Sequence, residues 1–178
     1  MPELGKLNLI LYQIRNLTYD HSQSQITDFL STTLAGATSL YDFPYEFVRG
    51  THMEGIVVGG NIRCLLKLAG TPYWPDMREK ILLLESFGGK LPQMVTYLSQ
   101  LNQMGVFKKV NGILLGTFTK MEEDNCQPDM AQLVLEFAEK KDTRCEITFD
   151  RAWNGFKGDS HRASFKVILR RRKTNGYN

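Results

Sequence analysis

The fold of this chain is decided by a ten-residue stretch, KILLLESFGG, at residues 80–89. Its four consecutive apolar residues lie between charged residues and are followed by a Gly-Gly pair, a pattern that predicts a short buried strand. Glu85 then lies just past the carboxyl end of this strand, where open α/β sheets place the groups that handle ligands. Because burying a lone carboxylate costs roughly several kcal/mol, we expect Glu85 to be solvated, held by hydrogen-bond donors, or used in chemistry.

Strands and helices alternate on both sides of that stretch. The predicted elements are a strand over 54–58, a helix over 62–69, the strand over 80–85, a helix from Pro92 to Gly105, a strand over 113–115 and a helix over 130–137. A Gly-Gly pair after the first strand allows positive φ angles or a close backbone approach. This order predicts an α/β fold with a mixed, mostly parallel sheet and flanking helices.

The first 50 residues are patterned more weakly. Residues 7–14 could form a helix or a strand, and residues 16–19 could form a strand. Ile26, Phe29, Leu30 and Leu34 have helical spacing. Residues 41–47 contain Pro44 and are interpreted as a loop or an edge strand.

Composition narrows the class of protein. The chain has 178 residues, of which 42% are hydrophobic, and no apolar run approaches the ~20 residues that span a bilayer. No secretory signal pattern opens the sequence, so we expect a soluble, cytoplasmic protein without a membrane partner. The three cysteines, Cys64, Cys126 and Cys145, have neither CxxC pairing nor metal-site spacing and are interpreted as free thiols.

Charge is distributed unevenly along the chain. Residues 142–178 contain nine Lys or Arg and four Asp or Glu, a net charge of +5, whereas residues 1–141 have a net charge of −2. Such a shift marks a boundary. The run RRRK at 170–173 could bind phosphates non-specifically, but only Phe165 and Tyr177 lie near it for base stacking. We therefore interpret the tail as an unselected charged terminus and expect no nucleic-acid partner.

Five motifs occur in order through the middle of the chain. They are Gly59-Gly60-Asn61, Gly70-Thr71-Pro72, the run KILLLE at 80–85, QMGVF at 103–107 and GILLGTF at 112–118. Together they resemble the C-terminal half of the serine LD-carboxypeptidases, which include muramoyl-tetrapeptide carboxypeptidases and microcin C resistance peptidases. The resemblance is strong over residues 53–141 and weak over residues 7–52.

The resemblance implies a Ser-His-Glu triad, in which a serine attacks the peptide carbonyl, a histidine takes its proton and a glutamate orients the histidine. The glutamate matches Glu85, the catalytic residue that the resemblance assigns to this chain; without the resemblance, Glu85 is a strand-end carboxylate bonded to backbone amides. The implied substrate is a murein tetrapeptide that loses its terminal D-alanine. The family needs no metal or organic cofactor, and its frequent dimers leave a homodimer open here.

Two triad members have no counterpart in the sequence. The family serine lies in a Gly-Gly-Tyr-Gly-Ser elbow, but the Gly-Gly pairs here are at 59–60 and 88–89. The family histidine lies in an Ile-Gly-His-Gly segment, whereas residues 143–155 contain no histidine. His52 precedes the first clear strand and His161 lies in the tail, so neither is expected to replace it. His21 lies between Asp20 and Ser22, but adjacent side chains diverge and rarely form a triad.

A shifted reading frame in the gene would explain why the histidine segment of the family is missing. Degenerate codons can be chosen for residues 142–162 so that reading one base later gives IPVVKSLLIGHGTDSKAIRIG, which has the strand and the Gly-His-Gly of the family. We therefore predict three segments: a remnant of the N-terminal domain over 1–50, the C-terminal domain over 51–141 and a frameshifted basic tail over 142–178. The tail is expected to leave the sheet without a core strand, with an exposed edge and marginal stability.

These observations leave two functions open. The first is a truncated serine LD-carboxypeptidase that carries the acidic triad member and is inactive alone. The second is a non-catalytic α/β domain, or a decayed gene product, with an interaction role.

Overall fold

The computed structural model describes residues 46–139 continuously, together with the strands at 146–149 and 166–170 and four helical residues. Those four are Gln23, Ile26, Thr27 and Leu30, which agrees with the helical spacing of the sequence there. The predictions for residues 7–19, for Phe29 and for Leu34 lie outside the described residues.

From residue 46 onward, the described residues form six strands and four helices. The strands are β1 (Glu46–Arg49), β2 (His52–Asn61), β3 (Lys80–Ser86), β4 (Gly112–Phe118), β5 (Glu146–Phe149) and β6 (Lys166–Arg170). The helices are α1 (Ile62–Leu66), α2 (Leu91–Gln103), α3 (Thr119–Glu123) and α4 (Met130–Glu139), with a short 3-10 turn at Val106–Lys108.

The strands form one sheet in the order β1-β5-β4-β3-β2-β6. The four central strands pair in parallel, and β1 and β6 add antiparallel edges. Parallel neighbours require crossovers, and α1 and α2 each lie in such a crossover between consecutive central strands. The predicted mixed, mostly parallel α/β architecture is therefore confirmed.

The core divides between the two faces of the sheet because neighbouring side chains of a strand point to opposite sides. On one face, Leu82, Leu84, Ile113 and Leu115 pack in a cluster with α1, α2 and α4. On the other face, a smaller buried cluster comprises Met53, Val57, Ile81, Leu83 and Leu114, with Phe47 packed against it. Strands β3 and β4 thus carry apolar side chains on both faces, which explains their continuous apolar runs.

Helix α2 follows the pattern that its sequence predicts. Proline lies in its first turn, where the missing N–H would have had no helical partner. Met94, Leu98 and Leu101 are fully buried, whereas Val95 lies at the exposed margin of the stripe. Gly105 follows the helix with a φ of 70°, in the left-handed region that favours glycine at a helix end.

Two features differ from the sequence-based expectations, and one region takes one of the two forms that the sequence left open. Helix α1 ends at Leu66 instead of continuing to Ala69, because the chain turns there toward Gly70, whose φ is 78°. The region around residue 47 is an edge strand, one of the two forms that the sequence left open. The basic tail also supplies two strands of the sheet, so the predicted loss of a strand is wrong. Residues 146–149 and 166–170 are rich in β-branched and aromatic residues, which favour strands whatever their origin.

Candidate active site

The carboxyl ends of β2, β3 and β4 meet at one edge of the sheet, here called the carboxyl edge. Asn61, the last residue of β2, pairs with Glu85 of β3. Between the pairs Leu84–Leu115 and Ser86–Phe118, β4 contains one more residue than β3. Glu85 therefore lies opposite a bulge, a feature that is common beside active sites because it redirects side chains. Its side chain is half-buried.

The Gly-Gly-Asn motif has a structural explanation at the same edge. A Cβ atom on Gly59 would lie 2.2 Å from the carbonyl oxygen of Leu83, so β2 and β3 can approach this closely only with glycine there. The φ angles of Gly59 and Gly60 are 122° and 136°. The side-chain oxygen of Asn61 accepts a hydrogen bond of 3.2 Å from the Cys64 N–H and caps α1. The motif thus fixes the backbone beside Glu85.

The loop that follows Glu85, residues 86–90, is held by several contacts and is called the Glu85 loop below. The buried Ser86 hydroxyl donates a 2.6 Å hydrogen bond to the Gly88 carbonyl oxygen. The Lys120 N–H donates to the Phe87 carbonyl oxygen at 3.1 Å. A Cβ atom on Gly89 would meet the Met94 side chain at 2.4 Å, so the loop also packs closely on α2. The backbone beyond Glu85 is therefore well defined.

An ionic network links the Glu85 loop to α3. The Lys120 ammonium lies 2.8 Å from Asp124 and 3.6 Å from Glu123, and the Lys90 ammonium lies 3.4 Å from Asp124. The hydrogen bond and charge of Lys120 lower the pKa of Asp124, and Asp124 raises the pKa of Lys120. Each ammonium compensates a nearby carboxylate, so the network holds the loop without creating a strong local field.

The other predicted motif residues lie elsewhere. Gly70 and Thr71 are in the connection between α1 and β3, which leads to the amino end of β3. The Thr71 hydroxyl donates to the Leu68 carbonyl oxygen at 2.7 Å and accepts from the Tyr73 N–H at 3.2 Å. This motif therefore shapes a turn and is not brought together with Glu85.

The structure also places one of the three histidines. His52 is the first residue of β2 and its ring nitrogen lies 3.9 Å from the Glu54 carboxylate. Nine residue-to-residue steps along the strand separate it from Asn61, the partner of Glu85, which corresponds to roughly 30 Å. His52 therefore cannot act with Glu85 within one chain. His21 and His161 lie outside the described residues.

Within the part of the chain that the structure describes, no group of three His, Cys, Asp or Glu side chains could hold a metal ion. No described helix is long and apolar enough to cross a membrane. Cys64 and Cys126 are free thiols, and Cys145 lies outside the described residues.

Three residues that fix the Glu85 loop are not among the candidates that the sequence predicts, namely Lys120, Asp124 and Ser86. The roles of Lys120 and Asp124 depend on contacts between segments more than 30 residues apart, which no local pattern reports. Ser86 has a local signal, because it lies two residues before the pair Gly88-Gly89 in a segment whose composition is typical of a tight turn.

Comparison with known proteins identifies the domain. Residues 54–149 match the family model of the LD-carboxypeptidase C-terminal domain. A putative carboxypeptidase of Treponema pallidum is 38% identical over 77 residues, which are 43% of this chain and 23% of the relative. A probable murein peptide carboxypeptidase of Bacillus subtilis is 36% identical over 75 residues, which are 42% of this chain and 22% of the relative. The matched part of this chain thus spans about a quarter of the length of these curated relatives.

Solved structures agree with this match at the level of the fold. The wild-type apo form of the microcin C7 self immunity protein MccF has a TM-score of 0.53 and 20% identity, covering 71% of this chain and 36% of that protein. MccF in complex with glutamyl sulfamoyl guanosine has a TM-score of 0.51 and 23% identity, covering 60% of this chain and 32% of that protein. Since the family model covers more than half of the chain, this protein belongs to the LD-carboxypeptidase family, whose C-terminal domain it contains.

Proposed function

We propose that this domain supplies the acidic member of a serine LD-carboxypeptidase active site and that Glu85 is that residue. The observation that carries the proposal is the position of Glu85, a half-buried carboxylate at the carboxyl end of a central parallel strand, opposite a bulge. Open α/β sheets bind ligands at this edge. The family match over residues 54–149 supports the same assignment.

In the proposed reaction, a serine hydroxyl attacks the carbonyl carbon of the peptide bond before the terminal D-alanine. A histidine takes the serine proton and later gives it to the amine of the leaving D-alanine, while water completes hydrolysis of the acyl-enzyme. Glu85 accepts a hydrogen bond from the other ring nitrogen of that histidine, fixes its orientation and stabilises its positive charge. The contacts of the Glu85 loop hold the carboxylate in one place for this role.

The serine and histidine must come from outside the described domain. We propose that they are supplied by polypeptide beyond these 178 residues, which contain neither the serine elbow nor the Gly-His-Gly segment. The topology supports the placement of the histidine, because β5 runs parallel to β4 and ends at the carboxyl edge, with Phe149 paired to Leu115. The carboxyl end of β5 therefore lies at the same edge as Glu85. The substrate of the assembled site would be a murein peptide, in the cytoplasm.

The alternative is a non-catalytic domain or decayed gene product. The absence of histidine from residues 143–155, where the family carries its catalytic base, favours it. Sequencing the coding DNA upstream of Met1 and across codon 142 separates the two. An upstream serine elbow, together with a shifted frame that encodes Gly-His-Gly, supports a broken carboxypeptidase gene, whereas an intact frame without either supports the alternative.

A chimera tests the catalytic proposal directly. Residues 54–141 replace the matching segment of the B. subtilis murein peptide carboxypeptidase, which keeps its own residues before and after. We expect the chimera to release D-alanine from murein tetrapeptide and the unaltered 178-residue chain to release none. A correctly folded chimera without turnover would contradict the proposed role of this domain.

A further inference from the structure

We propose that Asp124, the residue that closes α3, is a positioning residue, which holds the Glu85 loop in place and thereby fixes the Glu85 carboxylate. This inference rests on the proposed function, because only a working triad makes the exact place of that carboxylate matter. α3 follows β4 directly, after the bulge that lies opposite Glu85. The helix therefore starts at the same edge of the sheet as the carboxylate.

The place of α3 on the sheet is itself fixed. Met121, in the middle of the helix, is 3% exposed and belongs to the larger core cluster. At the start of the helix, the Phe118 N–H donates a 2.9 Å hydrogen bond to the Glu122 carboxylate. This bond satisfies a backbone donor where β4 becomes α3, so it fixes the direction in which the helix leaves the strand. α3 is therefore an anchored support for a neighbouring loop.

Two contacts tie the Glu85 loop to this support, one near each end of the loop. The Lys120 N–H donates to the Phe87 carbonyl oxygen at 3.1 Å. Lys120 lies in the first turn of α3, where backbone N–H groups have no partner within the helix, so the loop supplies the partner. At the other end, the Lys90 ammonium lies 3.4 Å from Asp124, whose carboxylate also lies 2.8 Å from the Lys120 ammonium. One carboxylate thus joins both attachment points.

The helix itself gains little from Asp124. The carboxyl end of a helix carries partial negative charge, so an acidic residue at that end is unfavourable. The pair with Lys120 has the lysine four residues before the acid, which is the weaker order on a helix. The Asp124 side chain is nevertheless 28% exposed, less than either lysine that it contacts. What this carboxylate stabilises is therefore the attachment of the loop.

Loss of that attachment should reach Glu85 through the backbone. The loop begins at the residue after Glu85, so a loop that separates from α3 lets the carboxylate leave its place. A displacement of about 1 Å in a catalytic group can cost up to roughly 100-fold in rate. Because Asp124 contacts lysines of its own domain, the expected loss is in kcat and not in KM.

Amide hydrogen exchange, followed by NMR in the full 178-residue chain, tests the attachment without any need for activity. The reporter is the Lys120 amide, whose proton is the one donated to Phe87. We expect Asp124→Asn to speed its exchange about three- to tenfold, as the loss of two partly exposed ion pairs predicts. The matched control is Glu123→Gln, which removes the same charge from the same helix and should change the rate less than about twofold. Its ion pair, 3.6 Å from Lys120, includes no residue of the loop.

This control also accounts for the general effect of a lost negative charge on exchange rates. If Asp124→Asn speeds the exchange of the Lys120 amide no more than Glu123→Gln does, the attachment is refuted and the proposal is overturned. Thermal melting checks that both variants remain folded.

The chimera tests the consequence for catalysis. We expect Asp124→Asn to lower kcat for D-alanine release about threefold or more with KM unchanged, and Asp124→Glu, which keeps the charge, to recover most of the loss. Rates are taken well below the melting temperature of each variant, so that a smaller folded fraction does not imitate the effect.

The outcomes separate the two proposals. Unchanged kcat for Asp124→Asn, in a chimera that Glu85→Gln inactivates, overturns the positioning role and leaves the proposed function in place. A raised KM with unchanged kcat also overturns it and assigns the ionic network to substrate binding. Turnover retained by Glu85→Gln contradicts the proposed function, and the positioning role with it.

Discussion

Gly59→Ala should destabilise the domain severely, because two costs coincide at this position. The first is the φ angle of 122°, which side-chain-bearing residues rarely adopt and which costs about 1–3 kcal/mol. The second is the new methyl group, which would lie 2.2 Å from the Leu83 carbonyl oxygen and 3.1 Å from the Leu83 nitrogen. These atoms are backbone and cannot rotate away, so β2 and β3 must separate at a further cost of about 1–3 kcal/mol. The sum, about 2–6 kcal/mol, is a large part of a typical domain stability of ~5–15 kcal/mol.

Two other glycines separate these costs. Gly70 has a φ of 78°, but its added Cβ would meet no atom within 4 Å, so Gly70→Ala reports the backbone cost alone, about 1–2 kcal/mol. Gly88 has neither feature, and Gly88→Ala should remain within about 0.5 kcal/mol of the unaltered protein. Urea unfolding followed by far-ultraviolet circular dichroism measures all three. If Gly59→Ala is no more destabilising than Gly70→Ala, the close approach of β2 to Leu83 is refuted.

Three further predictions concern the core, a helix cap and the ionic network. Leu98→Ala should lower the free energy of unfolding by about 2–5 kcal/mol, and Val95→Ala, at a partly exposed position, should lower it by much less. Equal losses of unfolding free energy, measured by urea denaturation, would contradict the packing of α2. Asn61→Ala should cost about 1 kcal/mol by removing the α1 cap, and Asn61→Ser should recover most of it. Asp124→Asn should lower the melting temperature only where the ion pair exists. Because Asp124 has a lowered pKa and Lys120 a raised pKa, the difference in melting temperature should be fully present between pH 3.8 and 10.5. It should fade as the pH falls through the lowered pKa of Asp124 or rises through the raised pKa of Lys120. A difference that is independent of pH would show that the pair is absent.

Much of the fold could be predicted because β3 and α2 have dense local patterns. The apolar run at 81–84 is continuous because it is buried on both faces, and Pro92 and Gly105 mark the ends of a helix by their backbone chemistry alone. Glu85 could be located for the same reason, as the first polar residue after that run. These features depend on neighbours in sequence.

The parts that could not be predicted depend on distant segments. The pairing of residues 166–170 with β2 joins segments more than 100 residues apart. The charge of the tail also draws attention away from its strand-forming residues. The fixing of the Glu85 loop by Lys120 is likewise a contact between two connections of the sheet. Sequence patterns report burial and turns, but they do not report which two loops meet at an edge.

The central claim is that Glu85 orients a catalytic histidine, and the kinetics of the chimera test it most directly. Glu85→Gln keeps the shape of the side chain but cannot stabilise a positively charged ring, so we expect kcat for D-alanine release to fall by about 10⁴-fold with little change in KM. Glu136→Gln, an exposed change on α4, is the matched control and should leave both constants unchanged. A Glu85→Gln chimera that retains the kcat of its parent would show that Glu85 is a structural strand-end carboxylate and not a member of the triad.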